Sequence, residues 1–319
     1  MMAPIRPVLN WISPAGAGGR LTVLIFHRVV PQLDLIFPGE MHAARFDQVC
    51  GWLKHWFNVL PLDVAVQQLR YERLPERACC ITFDDGYADN LHVAAPILRK
   101  HGLSAAFFVA TGFLDGGRMW NDTVVEAVRH CSAPRLALDA YGEFTLDSPT
   151  ARRDAIGKLL NQIKYLPVAE RIEVTEHIAA QAGVDPDRHL MMTSDEVRRL
   201  RAEGMLIGAH TLTHPILAKL PPEEARREML ESRRFLQDLL GERIGLFAYP
   251  NGRPGVDYLP EHPRMAEDLG FDAAVSTHWG AAGPLSDSFQ IPRFTPWDRS
   301  PGRFGLRLVQ NLLKKPPTP

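Results

Sequence analysis

The sequence predicts an α/β fold, a distorted (β/α)7-type barrel carrying a mostly helical insertion, and three observations lead there. Short apolar runs alternate with segments of helical spacing along most of the 319 residues. The alternation breaks once, over about 118–190, and then resumes. Titratable residues recur at the C-terminal ends of the apolar runs. Strands separated by helices run parallel. Six or seven such units favour a barrel, although periodicity alone also fits a doubly wound sheet.

Taken in order, residues 1–20 read as a flexible lead-in, with Ser-Pro-Ala-Gly-Ala-Gly-Gly at 13–19 supplying the breakers. LTVLIF (21–26) is the first strand, 43–56 carry apolar positions at helical spacing, and FNVLPL (57–62) is a short strand or loop. CCITF (79–83) is a strand, 88–101 a helix stopped by Gly102, and AAFFVA (105–110) another strand. The insertion at 118–190 reads as helices with loops around 131–150. A helix follows at 194–203, with Ser194 as its N-cap, then strand 205–209, helix 222–240, strand 245–249 and helix 261–269. Strand 272–277 and a short strand at 289–293 complete a barrel domain spanning 21–299, and a helix and tail fill 300–319.

The bulk composition sets limits. With 45% hydrophobic and 23% charged residues the chain reads as a globular protein. A net charge of −1 gives no general attraction to nucleic acid. Arg226, Arg227, Arg233 and Arg234 cluster in one helical segment and read as its solvated face. Cys50, Cys79, Cys80 and Cys131 form no CxxC pair, which argues against a zinc knuckle or a redox motif. No run resembles a signal peptide, and none approaches the ~20 apolar residues of a membrane span. Cytoplasmic residence is the expectation, with the inner face of a membrane reached through a lipid-linked substrate.

The strand ends carry the chemistry. Strand 21–26 ends at His27, 79–83 at Asp84 and Asp85, 205–209 at His210, and 245–249 at Pro250, Asn251 and Gly252, while the last strand brings Arg293. In parallel α/β folds this edge is where sites are built. Adjacent carboxylates repel unless a cation or hydrogen bonds stabilise them, so Asp84-Asp85 is costly as ornament, though a DDG sequence is also a common exposed turn. His210 and His214 can reach one point. With one Asp they make three ligands for a divalent ion and leave a position open for water, as catalytic zinc sites do. His27 alone also fits a hydrogen-bonded structural histidine. Trp120-Asn121-Asp122 and Trp297-Asp298 fit either core-edge aromatics or a surface that stacks on sugar, and Tyr249 and Pro250 join the candidate substrate contacts.

ITFDDGYADN (81–90), GAHTLTHPIL (208–217) and LFAYPNG (246–252) resemble, in order and spacing, the first three motifs of the polysaccharide deacetylases, the NodB-homology or carbohydrate esterase family 4 hydrolases. The likeness runs from about Leu21 to about Arg293, with 118–190 as an insert. It implies a distorted barrel and one divalent metal, commonly zinc, with cobalt, nickel or manganese as alternatives. It implies Asp84 as general base, Asp85, His210 and His214 as ligands, and the Asn251 N–H as an oxyanion donor where many members carry an aromatic. Two departures stand out. The third-motif arginine that holds the catalytic Asp in many members is replaced by Ala248, a loss that Arg293 can make good from another strand. No C-terminal histidine motif follows Trp279. Instead IFHRVV (25–30) resembles the N-terminal motif of circularly permuted relatives, which implies His27 as the acid.

The expected reaction is removal of an N-acyl group, N-acetyl first, from an amino sugar in a glycan or lipid-linked precursor, as in exopolysaccharide synthesis. A deformylase or other amide hydrolase on the same scaffold, and a non-catalytic carbohydrate-binding descendant, are the alternatives. Oligomeric state is left open.

Overall fold

Parallel pairing is written into the strands themselves. The computed structural model describes residues 5–185, 189–296 and 298–314. Helix α1 (Ile5–Ile12) precedes strand β1 (Leu21–Phe26), and helix α2 (Ala43–Trp56) leads to the two-residue β2 (Asn58–Val59) and helix α3 (Leu62–Arg70). Strand β3 (Ala78–Phe83), helix α4 (Ala95–His101) and strand β4 (Ala106–Val109) follow. Between β4 and the rest of the sheet come α5 (Trp120–His130), the hairpin β5 (Arg135–Leu138) and β6 (Gly142–Thr145), α6 (Pro149–Ile163) and α7 (Val168–Gln181). The rhythm resumes with α8 (Ser194–Ala202), β7 (Leu206–Ala209), α9 (Pro222–Leu240), β8 (Leu246–Ala248), α10 (Glu261–Asp268), β9 (Ala273–Val275) and α11 (Pro301–Leu313).

All six residues of β1 and of β3 are buried, as expected of strands covered on both faces. The main sheet runs β1-β3-β4-β7-β8-β9, with β2 beside the start of β3, and every pairing in it is parallel. The sheet curls. Its two ends are tied by residues 291–294, where Ile291 bridges Val275 and Phe294 bridges Leu24. One apolar layer lies between the sheet and the outer helices, built on Phe83, Phe107, Phe247 and Phe294. A second lies inside the curl, where Leu62, Ala65, Val66 and Leu69 of α3 pack against Leu21, Val23, Ala78 and Cys80. The α/β barrel class of the sequence reading holds.

Several elements differ from expectation. The lead-in is structured: α1 buries Leu9, and the Ser13 hydroxyl donates to the Arg20 carbonyl at 3.0 Å. Residues 57–62 give only the two paired residues of β2 before α3 begins, because Pro61 sets up a helix start. The helix expected from residue 88 opens with a π-helical turn at Asn90–Ala94 before α4, which stops as expected at Gly102, φ 66°. Thr193, not Ser194, caps α8: its side chain accepts from the Glu196 N–H while Glu196 bonds back to the Thr193 N–H. Ser194 is engaged by Asp115 instead. The 131–150 region expected as loops holds the β5–β6 hairpin, and 289–293 makes bridges rather than a strand. The 118–190 segment builds a separate apolar cluster, including Val124, Leu136, Phe144, Leu159 and Ile178, which Ile36 joins from the loop after β1. Arg233 lies over Phe271 and donates to the carbonyls of Ile244, Leu269 and Gly270, so it is a structural clamp rather than part of a basic patch. All four cysteines are free and buried. Among the described residues no helix is long and apolar enough to cross a membrane.

Candidate active site

Three strand ends converge where the register dictates. The Asp84 N–H donates to the Phe26 carbonyl, which sets β3's end beside His27, and the His210 N–H donates to the Val109 carbonyl. Leaving β3, Asp85 takes φ 77° and Gly86 φ 90°, a tight reversal that folds the second carboxylate back over the sheet end. Leaving β7, Thr211 and His214 also take positive φ, of 64° and 53°. Left-handed conformations at residues other than glycine cost energy and cluster where a site is held in shape.

The geometry that results is compact. One ligand atom from each of Asp85, His210 and His214 lies within 4.8 Å of the others. Asp85 Oδ1 is 3.4 Å from Nε2 of His210 and 3.4 Å from Nε2 of His214. That oxygen is buried and accepts no hydrogen bond among the described residues. A buried carboxylate oxygen without a partner is expensive. His210 Nδ1 donates to the Ala248 carbonyl at 2.8 Å, which leaves Nε2 as its free lone pair facing Asp85. Two imidazole nitrogens and a carboxylate oxygen around an unsatisfied acceptor are a donor set that fits a divalent cation.

Asp84 stands beside this cluster, its Oδ2 4.0 Å from His210 Nε2. Arg293 grips it with both arms, Nη1 to Oδ1 at 2.6 Å and Nη2 to Oδ2 at 2.7 Å. The guanidinium is itself fixed, donating from Nε to the Ser276 carbonyl at 2.9 Å and from Nη1 to Thr82 Oγ1 at 3.2 Å. Burial works to raise the Asp84 pKa, but Arg293, with His210 and His27, brings it below the ordinary carboxylate value. Asp85 goes the same way: burial opposes ionisation, and the His210 contact with the charges of His27 and His214 overrides it. Burial pushes His214 down to about 4, against the pull of Asp85, so its ring is neutral and able to ligate near neutral pH. For His210 burial works downward and the two carboxylates more than offset it, so its pKa is raised.

His27 is exposed at the mouth of the site, and its backbone is pinned. Asn90 Nδ2 donates to the His27 carbonyl at 2.9 Å, and Asp89 accepts from the Val29 N–H at 3.0 Å and from Arg28 Nε at 2.8 Å. Asn251 is exposed with φ 58°; its carbonyl accepts from Thr277 Oγ1, and its N–H donates to no acceptor among the described residues.

The candidate sugar contacts fare differently. Tyr249 is fully buried, stacked on Tyr258 with ring centroids 3.9 Å apart, and its hydroxyl donates to the Phe289 carbonyl. It belongs to the core, because it alternates with Ala248 onto the helix-covered face of the sheet, where Phe247 also packs, and it is removed from the substrate contacts. Pro250 is buried as well and offers no surface to a sugar. Trp120 packs on the insertion's own core with Arg171 over its ring at 4.9 Å, so that face is taken. Asp122 is buried and accepts from the Tyr87 hydroxyl at 3.1 Å, which closes it off from direct contact with a sugar. Trp297 lies outside the described residues.

Two groups of residues that the sequence reading passed over help hold the site. Glu228 on α9 accepts from the N–H groups of Leu212 and Thr213 at 2.9 and 2.8 Å and from Thr213 Oγ1 at 2.7 Å, fixing the loop between the two histidines. Gly112 brings its N–H to the Leu212 carbonyl at 2.7 Å, and a Cβ there would stand 2.6 Å from that oxygen, so only glycine fits. Asp89 and Asn90 are the second group. They lie within the ITFDDGYADN motif, which was the one available signal.

Comparison with known proteins bears on the family and the fold. Residues 71–134 and 163–274 match a family model described as polysaccharide deacetylase. The Bacillus subtilis (strain 168) protein YxkH, named in that same class, is 22% identical over 288 residues, covering 90% of this chain and 74% of its own. Among solved structures, the Streptococcus pyogenes deacetylase PplD in complex with acetate has a TM-score of 0.59 at 19% identity, over 92% of this chain and 98% of its own. IcaB from Ammonifex degensii has a TM-score of 0.58 at 18% identity, over 95% and 99%. A de-N-acetylase from Aggregatibacter actinomycetemcomitans has a TM-score of 0.56 at 18% identity, over 86% and 94%. At these identities the structural likeness speaks to the fold.

Proposed function

The chain belongs to the polysaccharide deacetylase family, and from that premise we propose that it is a metal-dependent hydrolase that removes an N-acetyl group from an amino sugar carried on a glycan or a lipid-linked precursor. The observation that carries this reading is Asp85 Oδ1, buried and unbonded at 3.4 Å from Nε2 of both His210 and His214, with Asp84 ionised alongside. Asp85, His210 and His214 are the proposed ligands of one divalent ion, zinc first, with cobalt, nickel or manganese compatible with the same donors. A cation there supplies Lewis-acid polarisation of the acyl carbonyl and lowers the pKa of water.

The residues do the rest. Asp84 takes the proton of the attacking water, a role typically worth about 10²–10⁴-fold. Arg293 keeps that carboxylate ionised and aimed. The Asn251 N–H, free of other acceptors, donates to the oxyanion that develops on the acyl carbonyl, and loss of one such donor generally costs about 10²–10³-fold. His27 delivers a proton to the departing amine from the mouth of the site, the role implied by likeness to the circularly permuted relatives. Water is consumed, the amide C–N bond breaks, and acetate and a free amino sugar leave. The acetate bound to the Streptococcus pyogenes neighbour and the name of the Aggregatibacter one favour acetyl as the acyl group.

The test is acetate release from N-acetylated oligosaccharides by chelated protein titrated with zinc. Activity is expected to appear with one equivalent of metal. Full activity in rigorously metal-free protein would end the proposal. Release of formate in preference to acetate, across a panel of acylated sugars, would reassign the acyl group while leaving the site chemistry in place.

A further inference from the structure

The helices nearest the two ends of the chain pack on one another, on the flank of the barrel. The end of the Ile5 side chain of α1 packs directly onto Gly305 of α11, and Leu9, Phe304, Leu308 and Leu312 anchor both helices in the core. Arg20 Nη1 donates to the Leu312 carbonyl at 2.7 Å and ties the end of α11 down. The outer faces of these helices are unusual. Val8 is 44% exposed and Trp11 83%, one helical turn apart, and on α11 Leu306 is 58% and Leu313 59% exposed, with Val309 between them on the same side. Helices of a water-facing barrel normally turn charge outward here.

Charge on these segments is of one sign. Residues 1–20 carry Arg6 and Arg20 and no acidic residue, and residues 299–319 carry Arg299, Arg303, Arg307, Lys314 and Lys315 and no acidic residue. The whole chain is −1, so everything between them is distinctly acidic. Arg307 pairs with Asp298, but Arg6 and Arg303 enter no ion pair among the described residues. Exposed tryptophan and leucine flanked by unopposed basic groups are what an interfacial helix presents to anionic lipid headgroups. A protein partner of ordinary composition would not require that segregation.

We propose that the α1–α11 face docks on an anionic lipid bilayer, with Trp11, Val8, Leu306 and Leu313 entering the headgroup region and Arg6 and Arg303 facing the phosphates. Arg299 at the start of α11 donates to the Pro38 carbonyl at 2.7 Å, which ties this face to the loop that leaves His27 and carries the exposed Leu33 and Leu35. The inference stands on this surface alone and does not depend on the reaction assigned to the site.

The experiment is co-sedimentation of the full chain with phosphatidylcholine vesicles, with and without phosphatidylglycerol. The expected result is binding to the mixed vesicles that weakens as salt is raised, and little to phosphatidylcholine alone. R6E/R303E should lower partitioning by at least about fivefold for each basic residue lost. Trp11→Ser/Leu306→Ser should lower it as well, while both variants keep the parent's far-UV circular dichroism and thermal midpoint within a few degrees, which shows that they fold. No binding to the mixed vesicles at low salt overturns the proposal, as does binding that neither variant weakens. A dimer in sedimentation velocity that Trp11→Ser/Leu306→Ser dissociates, with no vesicle binding by the parent, overturns it in favour of a second copy of the chain.

Discussion

Asp84 and Arg293 form a fully buried pair with two short hydrogen bonds, so what each contributes is readable through the other. Asp84→Asn keeps the shape and removes the base; turnover should fall about 10²–10⁴-fold while zinc stoichiometry stays at the parent's value. Equal loss of metal and rate would move Asp84 into the ligand set. Arg293→Met strips the carboxylate of its counter-charge. Breaking a buried pair costs about 3–5 kcal/mol, which a denaturation curve reads. The sign of the pH effect is also fixed. The folded Asp84 pKa lies below its unfolded value of 3.8, so the pair's stabilisation is present above 3.8 and is lost as pH falls through the lower folded value. Without the arginine the folded pKa rises, and both the acid limb of the pH–rate profile and the onset of acid unfolding should move toward neutrality. The candidate metal cluster was legible in the sequence because Asp85 and His210 follow strand ends and His214 lies four residues beyond His210. Arg293 was legible as the charge that the last apolar run brings to the same edge, and its partner was suggested by Ala248, which stands where many family members carry arginine. Tyr249 misled because a residue within a motif still obeys the strand's alternation of sides.

At the scale of elements, the site depends on loops that are held from outside. The His210–His214 segment has two left-handed residues, and Glu228 on α9 takes up the N–H groups of Leu212 and Thr213 that this conformation leaves free. Glu228→Ala is expected to leave the ligands intact and lower zinc affinity about 10–100-fold, the usual cost of removing support behind a metal ligand. Competition with a chelator of known affinity measures it; an unchanged affinity would mean that the loop holds its shape through Gly112 and Thr211 alone. Glu228 could not be read from the sequence. It lies mid-helix among other charges, and only the packing of α9 beside β7 brings it to the loop. The same limit explains the other misses. The capping role passed from Ser194 to Thr193 because the reciprocal bond with Glu196 needs a spacing of three, and the hairpin at β5–β6 went unseen because its strands bury only alternate residues in a short exposed piece. Long apolar strands and capped helices announced themselves; two-residue strands and single bridges did not, because their pairing is set by neighbours far away in the chain.

Across the whole molecule, the insertion meets the barrel through a buried contact that titrates. Asp122 on α5 accepts from the hydroxyl of Tyr87, two residues past Asp85, and Arg28 lies over the Tyr87 ring at 4.7 Å. Burial, with a smaller push from the Asp85 charge, raises the Asp122 pKa from 3.8 to about 7 in spite of Arg28. A folded pKa above the unfolded one means that the folded protein binds the extra proton, so this group's contribution to stability is full below 3.8 and is lost progressively as pH rises toward 7. At 1.36 kcal/mol per unit the swing is on the order of 4 kcal/mol, spread over that window. Asp122→Asn keeps an acceptor for the Tyr87 hydroxyl and cannot ionise. It should match the parent's stability near pH 4, exceed it at pH 8, and flatten the decline between, as read from denaturant midpoints along a pH series. Parallel curves for parent and variant would place the Asp122 charge in the folded protein at every pH tested, and the junction between insertion and barrel would then rest on apolar contact instead.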